Sequence, residues 1–516
     1  MTKINGSGKD ADSGGDLKSG PTGVDVLRMA LSDLEVEVRV YVPGYPATDA
    51  IPALGDKAQM DVNEKVAMEV ALGASATGKR SLVLVKHLGV NVLSDPLSIA
   101  PTHTIGAGLV VLASEDVGPR GSQAEMDVRN YGPLCEVPVL DPSGPERLRP
   151  ALLEAFALSE KVRAPVMVRT TFEFKDLARK SSSSPVHRPE RVEEKGRFGT
   201  FDRSIWDLTS KGRHQRYRTD VLPQMRLASS TSSLNFLRDA DEDLGIIASG
   251  RPASLVLNLK KKFPLLVAGF SHPLPWDMIR DFVEKRDRVL VAEEPTPFIE
   301  SRLQICNKIF GKTTGHLPWG RMESQDLERA LELIATGTQP GPGFSPQRFE
   351  DRPGSKNVCD DCPYWPVYEA VRNLGVSVAG DAGCSIRAVR PPLDAVDVVY
   401  GLGSSVGVAS GFGEKGVALV GDYALAHSGL QGLIDSVNNK REVLVVLLQN
   451  GVAAMTGGQP VPDITPILDR IVQEFRTIEL PANRDSIGEV LKEELAKPGV
   501  SLVVVRGICP RRDSAT

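Results

Sequence analysis

Short β-rich runs alternate with alanine-rich helical stretches between Val24 and about Thr171, and this alternation constrains the fold more than any other feature. The runs "EVEVRVYVPG", "SLVLVKH", "GLVVLAS" and "APVMVRT" carry the branched apolar residues of buried strands, while "NEKVAMEVALGASATG" and "LRPALLEAFALSE" carry helix formers. Parallel strands need a crossover connection, so the alternation implies a parallel sheet wrapped by helices. The pattern returns from Asp243 to about Thr336, with "LGIIASG", "PLLVAGF" and "RVLVAEE" as strands, and again from Asn357 to about Gly507. A chain of 516 residues exceeds what one hydrophobic core organises. Three α/β domains with parallel-rich sheets flanked by helices are therefore expected, at 24–175, 236–337 and 357–516.

The segments between them differ in composition. "MTKINGSGKDADSGGDLKSG" is polar and has no apolar core, so residues 1–23 read as a disordered tail rather than a signal peptide. Residues 176–235, with "RKSSSSPVHRPERVEEKGR", read as a linker with a loosely ordered excursion, and 338–356 as a second, proline- and glycine-rich linker. A net charge of -5 leaves no electrostatic footprint for nucleic acid. No apolar run approaches the ~18 residues of a membrane span. Six cysteines are too few for a disulfide scaffold, so a cytoplasmic protein is expected. Cys359 and Cys362 of "CDDC" have metal-ligand spacing but no second pair nearby, and read as a thiol pair or a small staple. Cys135, Cys306, Cys384 and Cys509 are scattered, unlike the closely spaced cysteines of an iron–sulfur site.

Chemistry concentrates in "GDYALAHSGLQGLIDSVNNKREVLVVLLQNGVAAMTGGQP", residues 421–460. Asp422 follows the strand run "GVALV", and Asn450 follows the run "VLVVLL". In a βαβ unit both strands end at one sheet edge, so the two side chains should meet in the crevice where such sheets bind ligands. A carboxylate, an amide oxygen and a backbone carbonyl make an oxygen-only half-shell suited to Mg²⁺, which completes its shell with phosphate oxygens and water. A diphosphate with its metal is the expected guest. Upstream, "DVVYGLGSSVGVASGFG" places glycines between a strand and a helix, where backbone can approach phosphate. The same residues also admit a dinucleotide fold, with Asp422 on a ribose, and a structural reading with ordinary turn glycines.

Longer stretches carry a resemblance. "GD" at 421–422 with Asn450 is similar to the thiamine diphosphate motif. "YVPGYPATDAI", "NEKVAMEVALGAS", "VKHLGVNVLSDPL", "GSQAEMDVRNYG", "SHPLPWDMIRDFVEKRDRVLVAEEPTPFIE", "AHSGLQGLIDSVNNK" and "LLQNGVAAMTGGQP" resemble the α subunit of indolepyruvate:ferredoxin oxidoreductase, in order from about residue 24 to about 480. The resemblance implies a transketolase/pyruvate:ferredoxin oxidoreductase-like fold: a pyrimidine-binding domain, a transketolase-C-terminal-like domain and a diphosphate-binding domain. It makes Asp422, Asn450 and the backbone of Val452 the Mg²⁺ ligands. Gly403, Ser404 and Ser405 of "GLGSSVG" become diphosphate-facing residues, with Gly421, Tyr423 and Thr456 as further cofactor contacts. Glu64 becomes the carboxylate that shares a proton with the cofactor's aminopyrimidine ring; on its own it reads as a helix N-terminal acid. His87 and His427 fall at strand-to-helix junctions and are candidate catalytic residues, and Lys86 is a candidate for a substrate carboxylate.

Two features depart from the family. Its members end in a cysteine-rich, ferredoxin-like region, which this sequence does not show, so no iron–sulfur cluster is expected here and electrons would go to a γ-type or ferredoxin-like partner. Where the family reads roughly C-P-G-C-P-H-R this sequence has "CDDCPYWP", with Tyr364 and Trp365 in place of a basic pair, which suits an aromatic or apolar substrate group. The function implied is thiamine diphosphate-dependent oxidative decarboxylation of an aryl or branched 2-oxo acid, with CoA as acyl acceptor left open. A non-oxidative decarboxylase or carboligase is the alternative. A degenerate, non-catalytic subunit is another, against which the retention of Glu64, Asp422 and Asn450 argues. In the superfamily the cofactor lies between domains that usually come from different chains, which implies a homo- or hetero-oligomer.

Overall fold

The computed structural model describes residues 20–178, 202–303, 307–340 and 357–512. Its first sheet contains β1 (Val38–Tyr41), β2 (Ala58–Met60), β3 (Ser81–Lys86), β4 (Leu109–Ser114), β5 (Val139–Leu140) and β6 (Val166–Thr170). These stand parallel in the order β5-β6-β4-β3-β1-β2. Side chains alternate across a strand, so Leu82 and Leu84 join the helices Gly23–Asp33 and Pro145–Val162 in one core. Val83 and Val85 join the helices Glu64–Ala76 and His87–His103 in another. Both faces are covered, which is why β3 and β4 are apolar throughout rather than at every second residue.

The second sheet runs β12-β11-β8-β9-β7, from β7 (Phe236–Arg238), β8 (Leu244–Ala248), β9 (Leu265–Val267), β11 (Arg288–Ala292) and β12 (Ile309–Phe310). One strand of this region, β10 (Phe270–His272), pairs antiparallel with β5 at the edge of the first sheet. Fully buried ion pairs join the two regions further: Arg129 bonds Asp127 and Glu293, each at 2.6 Å, and Arg169 donates to the Glu294 carbonyl at 2.6 Å. The two expected domains are thus one interlocked unit.

The third sheet, β14-β13-β15-β16-β20-β19, is parallel throughout. It is built from β13 (Val378–Gly380), β14 (Val398–Val399), β15 (Gly416–Gly421), β16 (Val443–Gln449), β19 (Arg476–Glu479) and β20 (Val500–Arg506). A small antiparallel pair, β17 (Val452–Ala453) and β18 (Gln459–Pro460), follows β16. Tyr423 and Ala453 from this region pack into the core formed by Val83 and Val85, so the third sheet is docked on the first.

One segment differs from its sequence-based reading. Residues 202–231, expected to be loosely ordered, form helical turns over Arg203–Trp206, Ser210–Arg216, Tyr217–Val221 and Leu222–Thr231. Tyr217, Val221 and Met225 recur every four residues, which puts them on one helix face, and all three enter the first core. Residues 179–201 of the excursion, the tail before residue 20 and residues 341–356 lie outside the described residues. Among the described residues no helix is long and apolar enough to cross a membrane.

Candidate active site

The pairing of β15 with β16 sets Gly421 opposite Leu448. Asp422 and Asn450 consequently leave adjacent strands at the same edge. Asp422 is 4% exposed. One of its oxygens accepts the N–H groups of Asn450 (2.9 Å) and Gly451 (2.6 Å), and the other accepts that of Tyr423 (2.8 Å). Burial raises its carboxyl above the ordinary value, against the pull of these donors. The Asn450 side-chain oxygen accepts the Val452 N–H at 2.8 Å, across a turn that Gly451 allows with φ of 73°.

Glu64 opens the helix Glu64–Ala76, which Asn63 caps by accepting from Lys65 N–H. The Asn63 amide nitrogen reaches across to donate to the His427 carbonyl at 2.9 Å. His427 Nε2 lies 2.7 Å from Glu64 Oε2, and its Nδ1 lies 2.6 Å from Ser428 Oγ. Glu64 from the first sheet's helices and Asp422 and Asn450 from the third sheet line one cavity of about 520 Å³. The resemblance placed such a pairing between chains; here it occurs within one.

The cavity suits thiamine diphosphate. A carboxylate stands on the first-sheet side and an oxygen-bearing pair on the third-sheet side, and Gly383, Gly401 and Gly421 line it at positions where a Cβ would meet no atom within 4 Å. The Tyr423 hydroxyl is buried with no hydrogen-bond partner in a residue that lines the cavity, and burial beside Glu64 raises its pKa. Gly421, Val452 and Thr456 also line the wall.

Other expected residues are placed differently. Gly403, Ser404 and Ser405 do not line the cavity, although Gly401 and Leu402 do. Asp381, at the end of β13, explains why: Ser405 Oγ donates to its carboxylate at 2.6 Å and Ser405 N–H at 3.2 Å, and the N–H groups of Gly403 and Ser404 also face it. Burial pushes Asp381 up to about 6. The loop's donors are therefore spent on Asp381 rather than offered to a diphosphate. His87 is fully buried, with Nε2 3.0 Å from the Ala124 carbonyl and Nδ1 accepting the Asp116 N–H at 3.3 Å. Burial lowers its pKa, and it holds the segment 116–124 in place instead of facing the cavity.

The sequence reading missed more. Gly89 lies so close to Glu64 that a Cβ there would stand 2.5 Å from Oε1. Tyr364 is buried in the cavity wall, its hydroxyl 2.6 Å from the Gln449 carbonyl and 3.1 Å from that of Gly507, while Trp365 packs toward the third sheet's core. Cys384 and Cys509, read as scattered, join the pair Cys359 and Cys362 along the cavity. Cys362 feels the charge of the other three, and burial pushes it up to about 12 and Cys384 up to about 11. Cys135 is buried elsewhere, and Cys306 lies outside the described residues. Among the described residues, no three or more His, Cys, Asp or Glu side chains close around a single metal ion. The local signals for the cysteine group were the "CDDC" spacing and "GDAGC" at a strand end.

Comparison with known proteins places these features. Residues 381–505 match the family model "Thiamine pyrophosphate enzyme, C-terminal TPP binding domain". The chain is 31% identical to indolepyruvate oxidoreductase subunit IorA of Methanothermobacter marburgensis, an alignment covering 93% of this chain and 85% of that protein. It is 28% identical to the same subunit of Archaeoglobus fulgidus, covering 94% of this chain and 86% of that one. Among solved structures, 2-oxoglutarate:ferredoxin oxidoreductase from Magnetococcus marinus overlaps 56% of this chain and 61% of its own at 15% identity, with a TM-score of 0.41.

Proposed function

The chain belongs to the indolepyruvate oxidoreductase subunit IorA family, thiamine diphosphate-dependent 2-oxo acid oxidoreductases, and from that premise we propose that it oxidatively decarboxylates an aryl or branched 2-oxo acid such as indolepyruvate. The observation that carries this reading is the meeting of Glu64 with Asp422 and Asn450 around one cavity. Asp422, Asn450 and the Val452 carbonyl would hold Mg²⁺ and, through it, the diphosphate. Glu64 would face the aminopyrimidine ring. When bound, thiamine diphosphate supplies an electron sink for the carbon that loses CO₂.

The chain's own residues then have defined tasks. Glu64 Oε2 holds or releases a proton, and His427 Nε2, hydrogen-bonded to it, fixes its orientation. His427 is itself held through its carbonyl by Asn63 and through Nδ1 by Ser428, so acid and histidine are positioned from both domains. Asp381 stiffens the glycine loop from beneath, which keeps Gly401 and Leu402 in the wall. Tyr364 shapes the wall for an apolar group and ties it to the ends of β16 and β20.

Oxidative chemistry needs an electron exit. Four thiols are the ligand count of a [4Fe–4S] cluster, and these four line a shared space without closing around a single ion. We read Cys359, Cys362, Cys384 and Cys509 as ligands for such a cluster, which would accept single electrons and pass them to a partner subunit. A chain without a cluster, its electrons taken up by an iron–sulfur partner, is the alternative to this reading.

The test is calorimetric titration of the protein with thiamine diphosphate, with and without Mg²⁺, beside Asp422→Ala. Metal-dependent binding that the variant loses supports the site; equal binding by both proteins defeats it. Indolepyruvate turnover with and without ferredoxin follows. Aldehyde or acyloin release that ignores the acceptor would favour the non-oxidative alternative, and anaerobically purified protein lacking iron and acid-labile sulfide would defeat the cluster reading of this chain.

A further inference from the structure

We propose that Lys86 anchors the carboxylate of the 2-oxo acid; the assignment rests on reading the cavity as the thiamine diphosphate site. Lys86 ends β3 and lines the cavity beside Glu64. Among the described residues its ammonium makes no hydrogen bond and no ion pair, and Glu64 and Asp116 act on it only through space. The buried cations among the described residues have partners. Arg129 is paired with Asp127 and Glu293, Arg169 with Glu115 and Asp141, and Lys312 donates to the carbonyls of Pro318 and Gly320. A half-buried ammonium without a protein partner is left for a ligand to complete. Burial lowers its pKa accordingly.

The surroundings make room for this lysine and for an anion. Gly44 admits the lysine stem: a Cβ there would stand 2.6 Å from Lys86 Cδ and 3.0 Å from Cγ. Lys86 is also the residue from which the 17-residue helix His87–His103 starts, and no side chain caps that start. Leu88 and Gly89 of the first turn line the same cavity, so the positive end of the helix and the ammonium act on one region. Leu88, Val92 and Met126 beside them are apolar, which strengthens an ion pair formed there.

Which anion this would be follows from the layout. A diphosphate belongs with Asp422 and Asn450 on the third-sheet side, whereas Lys86 lies beside Glu64. The anion that must arrive there is the substrate's carboxylate. The carboxylate carries its charge as the substrate binds and gives it up as CO₂ leaves, so Lys86 serves binding, and its removal should raise KM without slowing the loss of CO₂.

The experiment compares binding of phenylpyruvate and its uncharged methyl ester by the full chain, by Lys86→Met and by Lys86→Arg, with thiamine diphosphate affinity measured on each. The wild type should prefer the acid by roughly 10- to 100-fold, the range expected of a charge-assisted contact. Lys86→Met should lose that preference while binding thiamine diphosphate normally, and Lys86→Arg should recover part of it. No acid preference in the wild type, or its survival in Lys86→Met, overturns the assignment. Loss of thiamine diphosphate binding by Lys86→Met also overturns it, since the lysine would then serve the cofactor. A wild type that binds no thiamine diphosphate yet prefers the acid, through Lys86, would sink the cofactor reading and leave the anchor standing.

Discussion

Gly89→Ala isolates the part played by Glu64 without altering any titratable group. An alanine Cβ at this position would stand 2.5 Å from Glu64 Oε1, 2.8 Å from Cγ and 2.9 Å from Cδ. Non-bonded carbon contacts settle near ~3.5–4.0 Å, so relief needs a shift of about 1 Å. All three atoms belong to one flexible side chain, so the inexpensive relaxation is for Glu64 to swing aside. That movement stretches the 2.7 Å contact with His427 to about 3.7 Å, beyond hydrogen-bonding distance. Fold stability should fall by only about 1–3 kcal/mol, the ordinary cost of overpacking. Turnover should fall far more, by roughly 10²- to 10⁴-fold, because the acid–base contribution depends on where the carboxylate stands. The assay is CO₂ release at saturating thiamine diphosphate and Mg²⁺, with calorimetric Tm on the same samples. Turnover within about threefold of wild type in a protein destabilised by about 1–3 kcal/mol would refute the role given to Glu64. Gly73→Ala is the control: Gly73 lies in the helix that Glu64 opens, and its added Cβ meets nothing within 4 Å. It should stabilise the protein by about 0.5–1 kcal/mol and leave turnover unchanged.

Arg129→Met strands Asp127 and Glu293 as buried carboxylates at the join of the first two regions, and should cost about 3–5 kcal/mol, read as a lowered urea midpoint; a shift below about 1 kcal/mol would show that water enters the join. Asp381 gives a pH-dependent signature. Its folded value is raised from 3.8 to about 6, so its contribution is complete below the unfolded value and is lost as pH rises through about 6. The loss amounts to about 3 kcal/mol. The stability difference between wild type and Asp381→Asn, measured by urea unfolding at several pH values from 4 to 7, should shrink by that order, and a flat difference refutes the titration of Asp381. Because burial lowers Lys86, the preference for acid over ester should fade at a lower pH than for an ordinary lysine, and a preference undiminished up to pH about 10 would contradict that.

What the sequence disclosed was local. The two apolar runs before Asp422 and Asn450 are strands, and the rule that parallel strands share an edge sufficed to bring those residues together. His87 was correctly placed at a strand-to-helix junction, but its direction was decided by Ala124 and Asp116, which lie on a segment that no pattern ties to it. The helices of 202–231 had a signal, the four-residue recurrence of Tyr217, Val221 and Met225, which polar neighbours hid. The glycine loop carried an anion-binding pattern, yet its donors face Asp381, twenty-odd residues upstream, because β14, from which the loop leaves, lies beside β13 in the sheet.

The cysteines show why such facts escape a linear reading. Cys384 follows β13 and Cys509 follows β20, strands separated by β15 and β16, while Cys359 and Cys362 precede the helix Trp365–Arg372. Only the order of strands, with Tyr364 reaching the carbonyls of Gln449 and Gly507, brings the pair and the two single residues to one wall. Strand order depends on how helices pack across the whole sheet, and spacing along the chain carries little of that information. A cluster with all four ligands in one short run can be recognised from sequence alone; one with ligands spread over 150 residues cannot. Cys384 and Cys509 follow separate strands and the pair precedes a helix, so removing Cys384 or Cys509 should leave the sheet intact and, on the proposed cluster reading, abolish only electron transfer. Cys384→Ser with an unchanged Tm and lost ferredoxin reduction would fit that, and full ferredoxin reduction by the variant would exclude the group from the electron path.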